Sequence, residues 1–202
     1  MNGPGAEASG ELRRGIARRI VQVLVTTTLW AALFFVAAGR LDVPRGWIYF
    51  GASLALFAAN FVVLLRKNPQ VMAARSRVQA GTKPFDKVFA VVFTVFLIAM
   101  PVVAGLDAVR WGWTPLPSWT LWVGLPLLVA GDIPIAWAMV VNRHLETTVR
   151  IQEDRGHQVI SAGPYRIVRH PMYVGLMLQH ASIPLILGSS WTFVPVVLAA
   201  VT

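Results

Sequence analysis

Long apolar runs constrain this chain more than any other feature of its sequence. Residues 20–38 and 46–65 contain no formally charged side chain over 19 and 20 residues, close to the roughly 20 residues that cross a hydrocarbon core as a helix. Further runs lie at 88–106, interrupted by Pro101, and at about 119–141. We therefore predict an all-α fold, a polytopic bundle of transmembrane helices.

The composition excludes several other classes of protein. Hydrophobic residues make up 56% of the chain and charged residues only 13%, whereas soluble domains carry about 25% charge. The 18 Lys and Arg, against 9 Asp and Glu, cluster between the apolar runs, which favours contact with an anionic membrane surface over nucleic-acid binding. The absence of cysteine excludes disulfides and thiolate chemistry. The four histidines form no HxxxH or HExxH pattern, so we predict no metal site.

The C-terminal part of the chain predicts two more helices. Residues 171–202 contain no Asp, Glu, Lys or Arg and are divided by a turn signal at 188–190. The second helix has only about 12 residues, too few to cross a core of roughly 30 Å. We predict about five spans plus an incomplete last helix. Residues 1–12 are expected to be disordered, and 13–202 to form one membrane domain with a polar segment at 142–175.

The positions of the basic residues predict the orientation in the membrane. Of the 18 Lys and Arg, 15 fall in the N-terminus, the 66–87 loop and the 142–170 segment. By the positive-inside rule these regions are cytoplasmic. Four tryptophans lie near span ends on the opposite side, where interfacial aromatic residues are expected: Trp47, Trp111, Trp113 and Trp119.

The polar segment, NRHLETTVRIQEDRGHQVISAGPYRIVRHPMYVG, carries most of the chain's functional groups. Gly163 and Pro164 indicate a turn. If residues 165–175 are helical, the spacing places four side chains on one face: Arg166, Arg169, His170 and Tyr173. Cations of this kind hold carboxylates or phosphates, and an aromatic ring faces a sulfonium or stacks on adenine. The alternative is that they are anchors and belt residues at the membrane surface.

The run GPYRIVRHPMYVG, preceded by HQVI, resembles the signature of the isoprenylcysteine carboxyl methyltransferase and phospholipid methyltransferase group. The likeness extends over roughly residues 88–202 and includes Asn142. It implies methyl transfer from S-adenosylmethionine to a carboxylate or amine of a lipophilic substrate. The implied cofactor-binding residues are His157, Gln158, Val159, Ile160, Tyr165, His170, Pro171, Met172 and Tyr173. A further ligand-binding residue of the family corresponds to Arg150 or Gln152.

Arg166, Arg169 and His170 are the predicted catalytic residues. A carboxylate nucleophile is already ionised at neutral pH and needs no base, so the arginines would supply charge for the cofactor's carboxylate or an acidic substrate. An amine would need deprotonation, for which His157 or His170 is suited. Family members continue into a cytoplasmic segment with an Arg and an acidic pair, so we expect the sequence ending at Thr202 to be a fragment, a truncation or a form with an open site.

Two other functions remain open. An NADPH-dependent reductase resembling sterol reductases would use a similar cytoplasmic pocket, but has Asn where this chain has His170. A non-catalytic membrane protein is the other alternative. Asp132 and His180 lie in apolar runs, where ionisable groups are costly and often functional. Either lines a substrate passage, or Asp132 satisfies backbone groups at a kink and His180 bonds across helices. The substrate and the oligomeric state are not predicted.

Overall fold

Helices account for the regular structure of this computed structural model, which describes residues 4–76, 84–142, 145 and 160–202. The elements, in chain order, are α1 Pro4–Ala38, α2 Pro44–Lys67, α3 Pro69–Ala74, α4 Pro84–Ala104, a π-helix Gly105–Trp111, α5 Thr120–Val141, a 3-10 helix Gly163–Arg166, α6 Pro171–Leu187 and α7 Phe193–Val201. A single bridge pairs Pro115 with Ser189 among the described residues. The predicted all-α fold is therefore confirmed.

Four helical segments in the described part of the chain are long and apolar enough to cross a membrane: Ser9–Ala38, Pro44–Lys67, Val88–Trp111 and Thr120–Val141. The predicted fifth span is instead a shorter apolar helix, α6, of 17 residues. It stops because Gly188 adopts a φ of +82°, a left-handed conformation that ends helices. The final helix, α7, has 9 residues.

Two helix boundaries differ from those that the sequence predicts. The start of the chain was predicted to be disordered through residue 12, but α1 begins at Pro4. Adding residues to an existing helix avoids the cost of nucleation, so the first apolar span extends as a helix towards the N-terminus. The third span continues beyond residue 106, because the π-helix Gly105–Trp111 follows α4 directly.

The main apolar core lies towards one end of the bundle. It joins α1, α2, α4 and α6 through fully or nearly fully buried side chains, chiefly Phe34, Phe50, Met100, Ile186 and Leu187. The rings of Phe34 and Phe50 meet edge to face with centroids 6.0 Å apart. Because these residues are close to the 39–45, 107–120 and 188–192 connections along the chain, the core supports that end of the molecule.

These three connections form what we call the closed end: residues 39–45, 107–120 and 188–192. Asp107, only 1% exposed, accepts hydrogen bonds from Thr114 N at 2.8 Å and Ser189 Oγ at 2.6 Å. Trp191 N donates to the same carboxylate at 3.3 Å. Arg45 donates from Nη2 to Pro117 O at 2.8 Å. Side-chain and backbone groups from three separate connections thus satisfy one another.

Helices α5 and α6 make the most extensive contact of any helix pair that the structure describes. Gly131 and Gly175 allow their backbones to touch, since a Cβ added at Gly175 would lie 2.4 Å from Gly131 O. One residue along, Asp132 accepts hydrogen bonds from Asn60 Nδ2 at 2.9 Å and from Gln179 Nε2 at 3.2 Å. Helix α2 is thereby tied to the α5–α6 pair. Because the polar segment connects α5 to α6, the contact between these two helices holds its two ends in place.

Candidate functional site

Those polar groups predicted to be functional that the structure describes lie at the opposite end of the bundle. Here the chain breaks between α2 and α3 at Asn68 and Pro69, because proline disfavours helical geometry in the residue before it. Asn68 is buried and donates from Nδ2 to Met139 O, near the end of α5, at 2.9 Å. We call this the open end: residues 68–76, 141–142 and 160–173.

A tight turn at Gly163 brings the chain against α5. Gly163 has a φ of +59°, which L side chains rarely adopt. A Cβ at this position would also lie 2.9 Å from both Trp137 Nε1 and Val141 Cγ2. The turn therefore requires glycine twice over, for its backbone conformation and for its contact with α5. The 3-10 helix Gly163–Arg166 follows directly, with Pro164 buried in its first turn.

This turn places Tyr165 beside the end of α5. Asn142 ends that helix, its backbone N donating to Ala138 O at 2.9 Å. The Asn142 side chain donates from Nδ2 to the Tyr165 hydroxyl at 3.0 Å. The hydrogen bond links residues 23 positions apart in the chain. Tyr165, a predicted cofactor-binding residue, is thus held in place while its ring remains half-buried.

The predicted helical face over residues 165–175 is wrong. The 3-10 helix ends at Arg166, and α6 begins only at Pro171. His170 precedes this proline with φ −128° and ψ 67°, as expected for a residue that a following proline keeps out of helical geometry. Its carbonyl accepts the first hydrogen bonds of α6, from Tyr173 N at 3.1 Å and Val174 N at 3.3 Å.

The break in the helix still brings two of the predicted residues together. The rings of His170 and Tyr173 stack with centroids 5.5 Å apart and an interplanar angle of 25°. Both residues are exposed, Tyr173 to 54%. One π face of the pair is therefore available to a planar or cationic ligand.

The remaining predicted residues divide into three groups. Arg166 and Arg169 are exposed in the turn before α6, whereas Ile160 and Met172 are half-buried and Pro171 is buried. His157, Gln158 and Val159 lie outside the described residues, as do Arg150 and Gln152. Two exposed arginines therefore lie within a few residues of the exposed pair of aromatic rings in the sequence.

One residue that lies next to the site, Arg75, could not be predicted from the sequence. Arg75, at the end of α3, brings Nη1 to 4.0 Å from Met172 Sδ across 97 positions of the chain. Burial, together with the nearby positive charge of Arg19, lowers the pKa of the Arg75 guanidinium to about 10. It stays charged at neutral pH. The sequence marks Arg75 only as one of several basic residues in a loop.

Asp132 and His180, the ionisable residues that the sequence analysis singles out in apolar runs, have different surroundings. The carboxylate of Asp132 bonds to side chains of α2 and α6, and among the described contacts none joins it to backbone groups near Pro134. His180 lies against the Phe93 ring with centroids 5.7 Å apart. Both residues therefore contribute contacts between helices.

The fold and this site define a polytopic membrane protein with an exposed cationic and aromatic segment at one end of its bundle. Residues 119–202 match the family model of phospholipid methyltransferases. This region is similar to the phospholipid methyltransferase family, whose integral membrane methyltransferases include isoprenylcysteine carboxyl methyltransferase. No curated protein and no solved structure matches the chain.

The match begins at Trp119, one residue before α5, and includes α5, the polar segment, α6 and α7. All the predicted cofactor-binding and catalytic residues fall inside it. Together with the apolar helices, the match supports membrane methyltransferase activity in general.

Proposed function

We propose that the protein transfers a methyl group from S-adenosylmethionine to a carboxylate or amine of a lipophilic substrate at the membrane. The observation that carries the proposal is the stacked pair of His170 and Tyr173 at the start of α6. This pair belongs to the RHPMY run inside the matched region, 119–202.

The chemistry of the open end fits S-adenosylmethionine. Its sulfonium is a cation that favours the face of an aromatic ring, and its adenine stacks on one. Tyr173 is exposed to 54%, so its ring can accept such a contact. The exposed guanidinium groups of Arg166 and Arg169 suit the cofactor's carboxylate. In this proposal Ile160, Tyr165, His170, Pro171, Met172 and Tyr173 hold the cofactor, together with His157, Gln158 and Val159.

The protein's part in the reaction is alignment and exclusion of water. When bound, S-adenosylmethionine supplies a methyl group on a sulfonium, which an oxygen or nitrogen nucleophile takes while the C–S bond breaks and a neutral thioether leaves. Holding the two reactants in line contributes up to about 7–11 kcal/mol. A carboxylate nucleophile is ionised at neutral pH and needs no base. For an amine substrate, His170 would accept the proton.

We further propose that the open end faces the cytoplasm, because most of the basic residues flank it. The chain has no cysteine, so a single introduced thiol reports its own accessibility. In sealed right-side-out vesicles, a membrane-impermeant maleimide should label Ser118→Cys at the closed end and spare Arg166→Cys at the open end. The reverse labelling pattern would show that the closed end faces the cytoplasm.

Cofactor titration tests the proposed activity directly. We expect saturable binding of S-adenosylmethionine, measured by calorimetry, to the purified chain in detergent, and no binding of NADPH. His170→Ala should weaken this binding, since it removes the ring stacked on Tyr173. The matched control is Ile167→Ala, which truncates a residue of the same turn that is 75% exposed and should leave the affinity unchanged.

Each other outcome points to a different function. Binding of NADPH alone would favour a membrane reductase, and binding of neither cofactor would favour a non-catalytic membrane protein. Equal affinities for His170→Ala and the unmodified chain would remove His170 from the cofactor site.

A further inference from the structure

A cavity of about 200 Å³ lies between α1 and α2. Its α1 wall carries four polar side chains on one face of the helix: Arg19, Gln22, Thr26 and Thr27. Its α2 wall is formed by Tyr49, Phe50 and Ser53. Pockets that hold drug-sized ligands have volumes of roughly 300–1,000 Å³, so this smaller cavity suits a ligand of few atoms.

One side of the cavity lies at the open end of the bundle. Gln22 donates from Nε2 to Ser76 O at 3.0 Å, and Ser76 belongs to the open end. Arg19 lies one turn before Gln22 and immediately precedes the apolar run 20–38. This side of the cavity is therefore at the level of the membrane surface, where a dissolved molecule can reach it.

The guanidinium of Arg19 has no counter-ion in the part of the chain that the structure describes. Arg19 is half-buried, whereas its neighbour Arg18 is exposed. None of the described residues forms a hydrogen bond or an ion pair with the Arg19 side chain, and the cavity lining contains no acidic residue. A partly buried charge without a partner is costly, and a guanidinium pairs well with a carboxylate through two parallel hydrogen bonds. The cavity therefore favours an anion.

The rest of the lining favours an organic anion over an inorganic one. Among the described residues, no hydrogen bond engages the hydroxyls of Thr26 or Thr27, so each can donate to a ligand. Trp30, Tyr49 and Phe50 supply aromatic rings. The rings of Tyr49 and Phe50 meet edge to face with centroids 5.0 Å apart, and both residues are buried. One cation, free hydroxyls and aromatic rings together suit a monoanion with a small, flat apolar body.

We propose that the α1–α2 cavity binds a small, water-soluble aromatic carboxylate, with its carboxylate at Arg19 and its ring against Trp30 and Tyr49. All the lining residues fall within 19–53, outside the matched region 119–202. The site is therefore separate from the candidate cofactor segment, and the proposal does not depend on the proposed methyl transfer.

Saturation-transfer NMR of the full chain in detergent, titrated with benzoate or with neutral benzamide of similar shape, tests the proposal. The unmodified chain should bind benzoate about tenfold more tightly than benzamide, because hydrogen bonds between charged groups are stronger than those between neutral groups. Arg19→Gln should abolish this preference. Arg18→Gln removes the same charge from the neighbouring, exposed position outside the cavity and should retain it.

A second pair of variants keeps the test decisive if Arg19→Gln fails to fold. Thr27→Val replaces a hydroxyl in the cavity by a methyl group and should weaken benzoate binding by about fivefold. Thr28→Val is the matched control, because Thr28 is exposed and does not line this cavity. Its affinity for benzoate should equal that of the unmodified chain.

Three results would overturn the proposal. They are equal affinities of the unmodified chain for benzoate and benzamide, equal losses in Arg18→Gln and Arg19→Gln, and equal affinities of the two threonine variants for benzoate. Binding of inorganic phosphate as tight as that of benzoate would overturn the assignment to an organic carboxylate. Because no cofactor takes part in the measurement, failure here would leave the proposed methyltransferase activity unaffected.

Discussion

The closed and open ends of the bundle use polar residues in opposite ways. At the closed end, Asp107 is 1% exposed and accepts hydrogen bonds from three residues that belong to two connections. At the open end, Tyr173 is 54% exposed, and Arg166, Arg169 and His170 are exposed as well. The buried carboxylate at the closed end is fully engaged in hydrogen bonds within the protein, whereas these side chains at the open end are exposed to a ligand.

The comparison separates residues that stabilise the fold from residues that are available to a ligand. A buried carboxylate is tolerated only when donors surround it, and removing those interactions carries the full desolvation cost of the groups left behind. An exposed side chain contributes little to stability, so its replacement changes mainly what the protein binds. Variants of buried polar groups at the closed end should therefore alter stability, and variants of exposed residues at the open end should alter ligand affinity.

Asp107→Ala is expected to have the largest effect on stability. It leaves Thr114 N, Ser189 Oγ and Trp191 N without their shared acceptor in a buried place, at a cost of about 3 kcal/mol or more. The apparent melting temperature in detergent, followed by tryptophan fluorescence, should fall accordingly.

Asp42→Asn is the control at the same end of the molecule. Asp42 is exposed and forms a salt bridge with Arg40, an arrangement that contributes little to stability. A melting temperature for Asp107→Ala equal to that of Asp42→Asn would show that the closed end does not depend on its buried carboxylate, and the contrast between the ends would fail.

Gly163→Ala should have an intermediate effect and should lower both the stability of the fold and the affinity for the cofactor. An alanine at φ +59° costs about 1–2 kcal/mol, and its Cβ would press on Trp137 and Val141. Overpacking of this kind costs about 1–3 kcal/mol more. Because the turn positions Tyr165, affinity for S-adenosylmethionine should fall in the calorimetric titration.

Gly112 provides a matched control at the closed end. It has nearly the same φ, +61°, but a Cβ there would meet nothing within 4 Å. Gly112→Ala should therefore pay only the conformational cost and leave cofactor affinity unchanged. If the two variants behaved alike, the contact of the turn with α5 would have no part in forming the site.

The spans and the site differ in how well the sequence predicts them. An apolar run long enough to cross a membrane has few alternatives to a helix, so α2 and α5 appear where the sequence places them, at Pro44–Lys67 and Thr120–Val141. The N-terminal boundary was missed because a helix can extend through a polar segment once the span has formed it. Asp107 was missed because the third apolar run stops one residue before it.

The site was harder to predict from the sequence because it depends on contacts between distant parts of the chain. The RHPMY run identifies the residues, but its predicted helical face ignored the effect of Pro171 on His170. The hydrogen bond from Asn142 to Tyr165 and the approach of Arg75 to Met172 depend on how α3, α5 and α6 pack. Neither contact leaves a periodic or spacing signal, so only the three-dimensional arrangement reveals it.

Tyr173 allows the smallest and sharpest test of the comparison. Tyr173→Phe keeps an aromatic ring beside His170 and should bind S-adenosylmethionine like the unmodified protein. Tyr173→Leu removes the ring and should lose about 0.5–1.5 kcal/mol of binding, or about twofold to twelvefold in affinity. Since Tyr173 is more than half exposed, both variants should melt at the temperature of the unmodified chain. An affinity loss in Tyr173→Phe equal to that in Tyr173→Leu would assign the contact to the hydroxyl rather than the ring, and a fall in melting temperature would make Tyr173 a structural residue like those of the closed end.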